Sequence, residues 1–240
     1  MTDTAVGAER FIAIDGPAGS GKSSVSKEIA RRRGYGYLDT GSAYRALAWL
    51  ALERGVDTED SAAVLALADG VELAPGRAEI VMSVDPDVRT LVVGSTDITA
   101  AIREPRVAAA VSGIARVPEV RARVNTMFRQ IGASAPFPAV VVEGRDITTV
   151  VAPDAPVRVL LTAHPDVRAA RRAKELDGNA AVVGEAMRKR DASDSAVVDF
   201  LNAAPGVSVV DSTDLNFEET VTAVLAVIDE GLKPGVGDAR

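Results

Sequence analysis

The chain has 240 residues, 47% of them hydrophobic, enough for one sizeable domain, or one domain with an inserted subdomain, burying roughly 70–75% of its unfolded surface. Its 27 Lys and Arg against 34 Asp and Glu give a net charge of −7, which argues against a surface dedicated to DNA or anionic membrane, since both need a basic field. There is no cysteine and one histidine, His164, so disulfides, thiolate nucleophiles and clusters of Cys or His around a metal are excluded. Residues 1–10 lack a basic stretch followed by an apolar one, and no uncharged apolar run is long enough to span a bilayer. The expectation is a soluble, cytoplasmic protein.

In chain order, the apolar run Phe11–Asp15 reads as a strand ending at Gly16, and Ser23–Arg33 carries Val25, Ile29 and Ala30 at helical spacing. Gly34–Leu38 predicts a second strand, followed by helices over Ser42–Arg54 and Ser61–Leu67. Between Val71 and Val93 the alternation changes: Glu79–Ser83 and Thr90–Val93 read as antiparallel strands, with a turn at Gly94, in an inserted piece. Buried-strand runs resume at Ala139–Glu143, Val157–Leu161 and Val207–Val210, separated by helical stretches. Strands alternating with helices predict a parallel sheet covered on both faces. The first few residues and Lys233–Gly237 are expected to be loose.

Gly16-Pro17-Ala18-Gly19-Ser20-Gly21-Lys22-Ser23 matches G-x-x-x-x-G-K-[ST] at every fixed position, and it lies between a predicted strand and a predicted helix, as that motif requires. The glycines let the backbone curl until successive N–H groups face inward, and the helix N-terminus turns its partial positive charge on a phosphate. Residues Gly16 to Ser24 are thus the predicted ATP-binding loop, the P-loop. Lys22 would reach the β- and γ-phosphates, and the Ser23 hydroxyl would be a ligand of Mg²⁺, the one cofactor expected beside ATP. No N-K-x-D segment is present to read guanine.

A second group of residues suits a second anionic substrate. Asp39-Thr40-Gly41-Ser42-Ala43-Tyr44-Arg45 opens a helix after the second strand, and Glu143-Gly144-Arg145-Asp146 follows a buried strand. Residues just past the carboxyl ends of parallel strands line the ligand crevice, so Arg45 and Arg145 are placed to hold a phosphate.

In their order and spacing, Ile14–Ser24, Tyr37–Gly41, Tyr44-Arg45, Val142–Ile147 and Leu160–Ala163 resemble the bacterial cytidylate kinases, a family of P-loop nucleoside monophosphate kinases. Thr96–Arg103 and Val111–Arg121 look like that family's enlarged monophosphate-binding insert. The resemblance implies an α/β fold: a P-loop three-layer sandwich with a parallel five-stranded sheet. It also implies one kinase domain over about 9–230, with an inserted monophosphate-binding subdomain at about 68–137 and a short lid at about 166–198. The implied reaction moves the γ-phosphoryl group of ATP to CMP or dCMP, in a monomer with no nucleic-acid polymer or membrane as partner. By position, Ser112, Arg121 and Asp146 would read the cytosine edge with Thr40 nearby, and Arg45 and Arg145 would hold the monophosphate. Arg190 and Asp194 match ribose-side and lid positions, completing a catalytic set with Lys22 and Arg145. No general base is nominated, because phosphoryl transfer asks mainly for positioning and charge stabilisation.

The sequence also departs from the family pattern. Thr148 stands where a glycine is usual and Ala152 where an aromatic is usual. The lid is several residues shorter, and Val197 occupies the place of an expected arginine. Arg168, Arg171 and Arg172 lie on the predicted lid helix, either as its polar face or as replacements for that charge. Arg31, Arg32 and Arg33 read as solvated cations at a helix end, Asp15 as an orienting group for the P-loop, and His164 as a surface residue at a helix start. Two other functions fit the same residues: a nucleotide-binding regulator with reduced transfer, and a kinase of another small acceptor.

Overall fold

The structure is a computed structural model and describes residues 8–73, 79–176, 179–195 and 199–233, with the side chains of 8, 175, 176, 190, 193 and 194 excepted. The loose ends expected from the sequence lie largely outside the described residues. Five strands form one parallel sheet: β1 (Phe11–Asp15), β2 (Gly36–Asp39), β6 (Val140–Gly144), β7 (Val157–Thr162) and β8 (Ser208–Asp211), in the order β2-β6-β1-β7-β8. This is the five-stranded α/β sandwich that the sequence predicts.

Alternate residues of the central strands feed two separate cores, as the period of a strand requires. Phe11, Ala13, Leu38, Val140 and Val142 pack into a core with α2 (Thr40–Glu53), α3 (Ser61–Asp69), α4 (Pro105–Ala115) and α5 (Pro118–Ser134). Ile12, Ile14, Tyr37, Val141, Val157, Val159 and Leu161 face the other way, toward α1 (Lys22–Arg33) and α8 (Phe217–Gly231). Burial on both faces explains why these strands read as continuous apolar runs.

The inserted piece contains the short antiparallel sheet β3 (Ile80–Met82), β4 (Leu91–Val93) and β5 (Thr96–Asp97), in which Ile80 pairs with Val93 and Val93 with Thr96. Gly94, at φ 59, turns β4 into β5, while β3 reaches β4 through a longer connection over 83–90. The exposed Thr96 and Asp97 have no apolar alternation, so β5 left no strand signal in the sequence. Two further helices, α6 (Pro165–Leu176) and α7 (Ala180–Ser195), pack on each other beside the phosphate turn.

Candidate active site

Asp15 closes β1, and the chain turns through Gly16–Gly21 into α1. Gly19 at φ 73 and Gly21 at φ 86 adopt the left-handed conformation that a side chain disfavours. Gly21 has no side chain with which to cap the first N–H groups of α1, so they stay available to an anion. α2 and α3 differ, since Asp39 and Asp60 cap their first turns. The Ser20 hydroxyl is buried inside the phosphate turn without a partner, whereas Ser23 and Ser24 are exposed on its rim.

Two carboxylates stand at neighbouring strand ends beside Lys22. Asp39 accepts the Ser42 hydroxyl at 2.7 Å and faces Arg45 at 3.8 Å and Arg89 at 3.5 Å. Burial raises its pKa, but Arg45, Ser42, Arg89 and Lys22 together hold it below the usual carboxylate range. Glu143, 2% exposed, accepts the Tyr37 hydroxyl at 2.5 Å. Burial first, then the Asp39 charge, push Glu143 above its ordinary value, against the pull of Lys22 and Ser23. Its second oxygen, Oε2, is buried and forms no hydrogen bond.

That unsatisfied oxygen, on a carboxylate that interacts with the Ser23 hydroxyl, belongs to the donor set a hard cation takes. Among the described residues no three Asp, Glu or His groups gather into a protein-only metal cage. Ser23 and Glu143 therefore fit Mg²⁺ of the kind that shares its shell with phosphate oxygens and water. Both carboxylates lie at the carboxyl ends of strands, and that rule of position is the sequence signal that could have singled them out.

On the acceptor side, Arg145 donates to the Gly16 carbonyl at 3.0 Å and to Asp191 at 3.2 Å, and its guanidinium lies 4.2 Å from the centre of the Phe200 ring. The buried Asp146 and the half-buried Arg121 form an ion pair. Burial raises the Asp146 pKa, with Arg121 opposing the rise. The buried Tyr44 hydroxyl has no hydrogen bond and is influenced by both charges of that pair. Thr40 donates to the Glu143 carbonyl at 2.7 Å, so its hydroxyl secures the start of α2 to β6. Ser112 lies exposed on α4.

Several cations that the sequence reading did not single out join Arg45 here. Arg103 feels Arg89 first, then burial, Arg45 and Arg172, and its pKa is lowered although Asp39 opposes the shift. Lys27 is lowered by burial first, then by Arg89 and Arg31. In a protein of net charge −7 this corner is crowded with positive charge, a repulsion that an entering phosphate relieves.

The helices α6 and α7 sort the three arginines expected on the lid. Arg168, 8% exposed, donates to the Ala18 carbonyl at 2.9 Å and to Asp191 at 2.7 Å. Asp191 also accepts the Ala18 N–H at 3.3 Å, so this one carboxylate ties both lid helices and Arg145 to the P-loop. Arg171 instead binds the Ser212 and Leu215 carbonyls at 2.6 and 3.1 Å, pinning α6 to the connection before α8. Arg172 is exposed. Asp191 sits in a charged helical run without local distinction, so no sequence signal picked it out. The side chains of Arg190 and Asp194, and Val197 entirely, lie outside the described residues. Arg31, Arg32 and Arg33 pair with surface carboxylates, and His164 is exposed.

Comparison with protein families matches residues 12–230 to "Cytidylate kinase". A cytidylate kinase of Streptomyces avermitilis is 42% identical over 222 residues, covering 92% of this chain and 93% of the relative. One from Cutibacterium acnes is 43% identical over 92% of this chain and 97% of its own length. Among solved structures, an uncharacterized protein from Eubacterium ventriosum superposes with a TM-score of 0.51 at 12% identity, over 91% of this chain and 98% of that one, a likeness of fold alone. With a glycine-rich turn and two strand-end carboxylates beside an arginine-lined corner, and with relatives matched along nearly their whole length, the chain belongs to the cytidylate kinase family.

Proposed function

We propose that the protein transfers the γ-phosphoryl group of ATP to CMP or dCMP, yielding ADP and CDP or dCDP. The observation that carries this reading is the Arg121–Asp146 pair, its carboxylate buried, set next to Arg145, which bonds to the P-loop carbonyl of Gly16. Cytosine presents an amino donor at N4 beside ring acceptors, which matches a carboxylate next to a guanidinium. Uracil presents a carbonyl oxygen where cytosine has the amino group, and Asp146 would meet it lone pair to lone pair.

The P-loop N–H groups and Lys22 hold the β- and γ-phosphates of ATP, while Arg45 and Arg145 hold the acceptor monophosphate. A phosphate oxygen of CMP forms the new bond to γ-phosphorus as the bond to the β-bridging oxygen breaks, and ADP departs with that electron pair. Ser23 and Glu143 would hold Mg²⁺, which would supply charge neutralisation to the phosphates. Arg168 and Arg145, gathered by Asp191, bring positive charge against the P-loop from the lid side. Arg190 and Asp194 complete the lid, about 166–198, and the insert, about 68–137, carries the base-reading side chains Ser112 and Arg121.

No helix among the described residues is long and apolar enough to cross a membrane. We place the activity in the cytoplasm, in a monomer, a state that sedimentation velocity checks.

An ADP-release assay across CMP, dCMP, UMP, AMP, GMP and shikimate tests the assignment. CMP and dCMP are expected to be the best acceptors. Any other acceptor preferred about tenfold in specificity constant, about 1.4 kcal/mol, overturns it. Nucleotide binding without measurable transfer would favour a regulator.

A further inference from the structure

The Asp15 carboxylate is 2% exposed, one residue before the phosphate turn. Three donors converge on it, all from the segment that follows β6. The Ile147 N–H reaches Oδ1 at 2.9 Å, and the Thr148 N–H and hydroxyl reach Oδ2 at 2.8 and 2.7 Å. On the near side of that segment, Arg145 donates to the Gly16 carbonyl at 3.0 Å. Asp146 lies between these attachments, at φ −143 and ψ 23, with its side chain paired to Arg121. The stretch from Arg145 to Thr148 is thus pinned at both ends to Asp15 and Gly16.

The sheet does not need this joint. β1 and β6 already pair from Phe11 with Val140 to Asp15 with Gly144, and the three donors lie beyond the end of that ladder, in the first residues of a π-helical turn over Ile147–Val151. Burial pushes the Asp15 pKa up to about 6, against the hydrogen bonds from Thr148 and Ile147, so a carboxyl group stays here in spite of a desolvation cost. Two of the donors are backbone groups that any residue would offer. The third is the hydroxyl of Thr148, at the position where the family pattern has glycine.

We propose that Asp15 and Thr148 are positioning residues for phosphoryl transfer, holding the Arg145–Asp146 segment in register with the P-loop so that the acceptor phosphate meets the γ-phosphate in line. This rests on the reading of Arg145 and Asp146 as acceptor-site residues. A small misplacement of one reactant against the other is enough to cost an order of magnitude or more in rate. A residue that only stabilised the fold would lower the melting temperature and leave turnover of the folded protein intact.

The test uses the full chain with Thr148→Val, which keeps the shape and deletes the hydroxyl, and Thr148→Ser, which restores it. Kinetics and amide exchange are measured at a temperature where circular dichroism shows both variants folded. Thr148→Val is expected to lower kcat about tenfold, to leave KM for ATP within about twofold, and to speed exchange of the 147 and 148 amides at least about fivefold. Thr148→Ser should stay within about twofold of the unmodified protein on each measure. An unchanged kcat in Thr148→Val, a Ser variant as impaired as the Val variant, or a loss shared equally with KM for ATP overturns the proposal. If the unmodified protein phosphorylates none of the nucleotides, the functional reading fails instead. Exchange then decides the joint, and unchanged rates at 147 and 148 overturn it.

Discussion

The turn between β1 and α1 is proposed to recognise phosphate with consecutive residues, Gly16 to Ser24, and largely with backbone N–H groups. The proposed acceptor side gathers Thr40 and Arg45 from α2, Arg121 from α5, and Arg145 and Asp146 from the end of β6, and every one of these side chains is already bonded or charge-paired. In the turn, residues other than the glycines, Lys22 and Ser23 are expected to change with little consequence, because the geometry that glycine and the helix end provide would hold the ligand. On the acceptor side each removal strands a partner. A buried charge left without its counter-ion costs about 3–5 kcal/mol, so substitutions there will mix effects on stability with effects on chemistry.

The largest expected effect falls on the one P-loop side chain that meets transferring charge. Lys22→Ala should lower turnover by about two orders of magnitude or more while the far-ultraviolet circular dichroism stays unchanged, since Lys22 fills no core. Activity within a few-fold of the unmodified protein would mean that the P-loop works by backbone alone.

Next in size is Arg168→Ala. It removes a charge from the P-loop and leaves Asp191 with Arg145 and the Ala18 N–H, and a loss of about ten- to a hundredfold in kcat/KM is expected for a charge-assisted contact of roughly 1.5–3 kcal/mol. Arg171→Ala is its control. It should lower the melting temperature and leave kcat within about threefold, because its guanidinium binds the Ser212 and Leu215 carbonyls rather than the P-loop. The reverse ranking of the two in turnover would show that the lid arginines are sorted wrongly.

Within the acceptor side, base reading separates from phosphate holding. Arg121→Ala and Asp146→Ala should erode the preference for CMP over UMP by about tenfold, since unpaired polar groups penalise the wrong ligand, and Arg45→Ala should weaken every monophosphate alike. Equal losses for all acceptors in all three variants would mean the base pocket lies elsewhere. The smallest effect is expected from Val197→Arg, whose side chain restores the arginine of the family pattern. With Arg168 already against the P-loop, the specificity constant for CMP should change less than about threefold. A tenfold rise would show that Arg168 does not replace the missing charge.

The chain's own residue order determined the parallel sheet and the P-loop, because both are local matters. Val140-Val141-Val142 is apolar without alternation since both its faces are covered, and glycine spacing alone lets a backbone curl around phosphate. Arg145 was legible from its place just past the end of a strand, and the roles of Asp146 and Arg121 only through the family resemblance, since an arginine on a helix looks alike whether it faces solvent or a buried carboxylate. Tertiary structure alone decided that Asp191 joins Arg145, Arg168 and the P-loop, that Arg171 secures a loop, that Arg89 and Arg103 crowd Asp39, and that Thr148 reaches Asp15. Each of these depends on side chains from distant segments meeting in a desolvated corner, where charge and hydrogen-bond geometry act over a few ångströms that sequence separation does not encode.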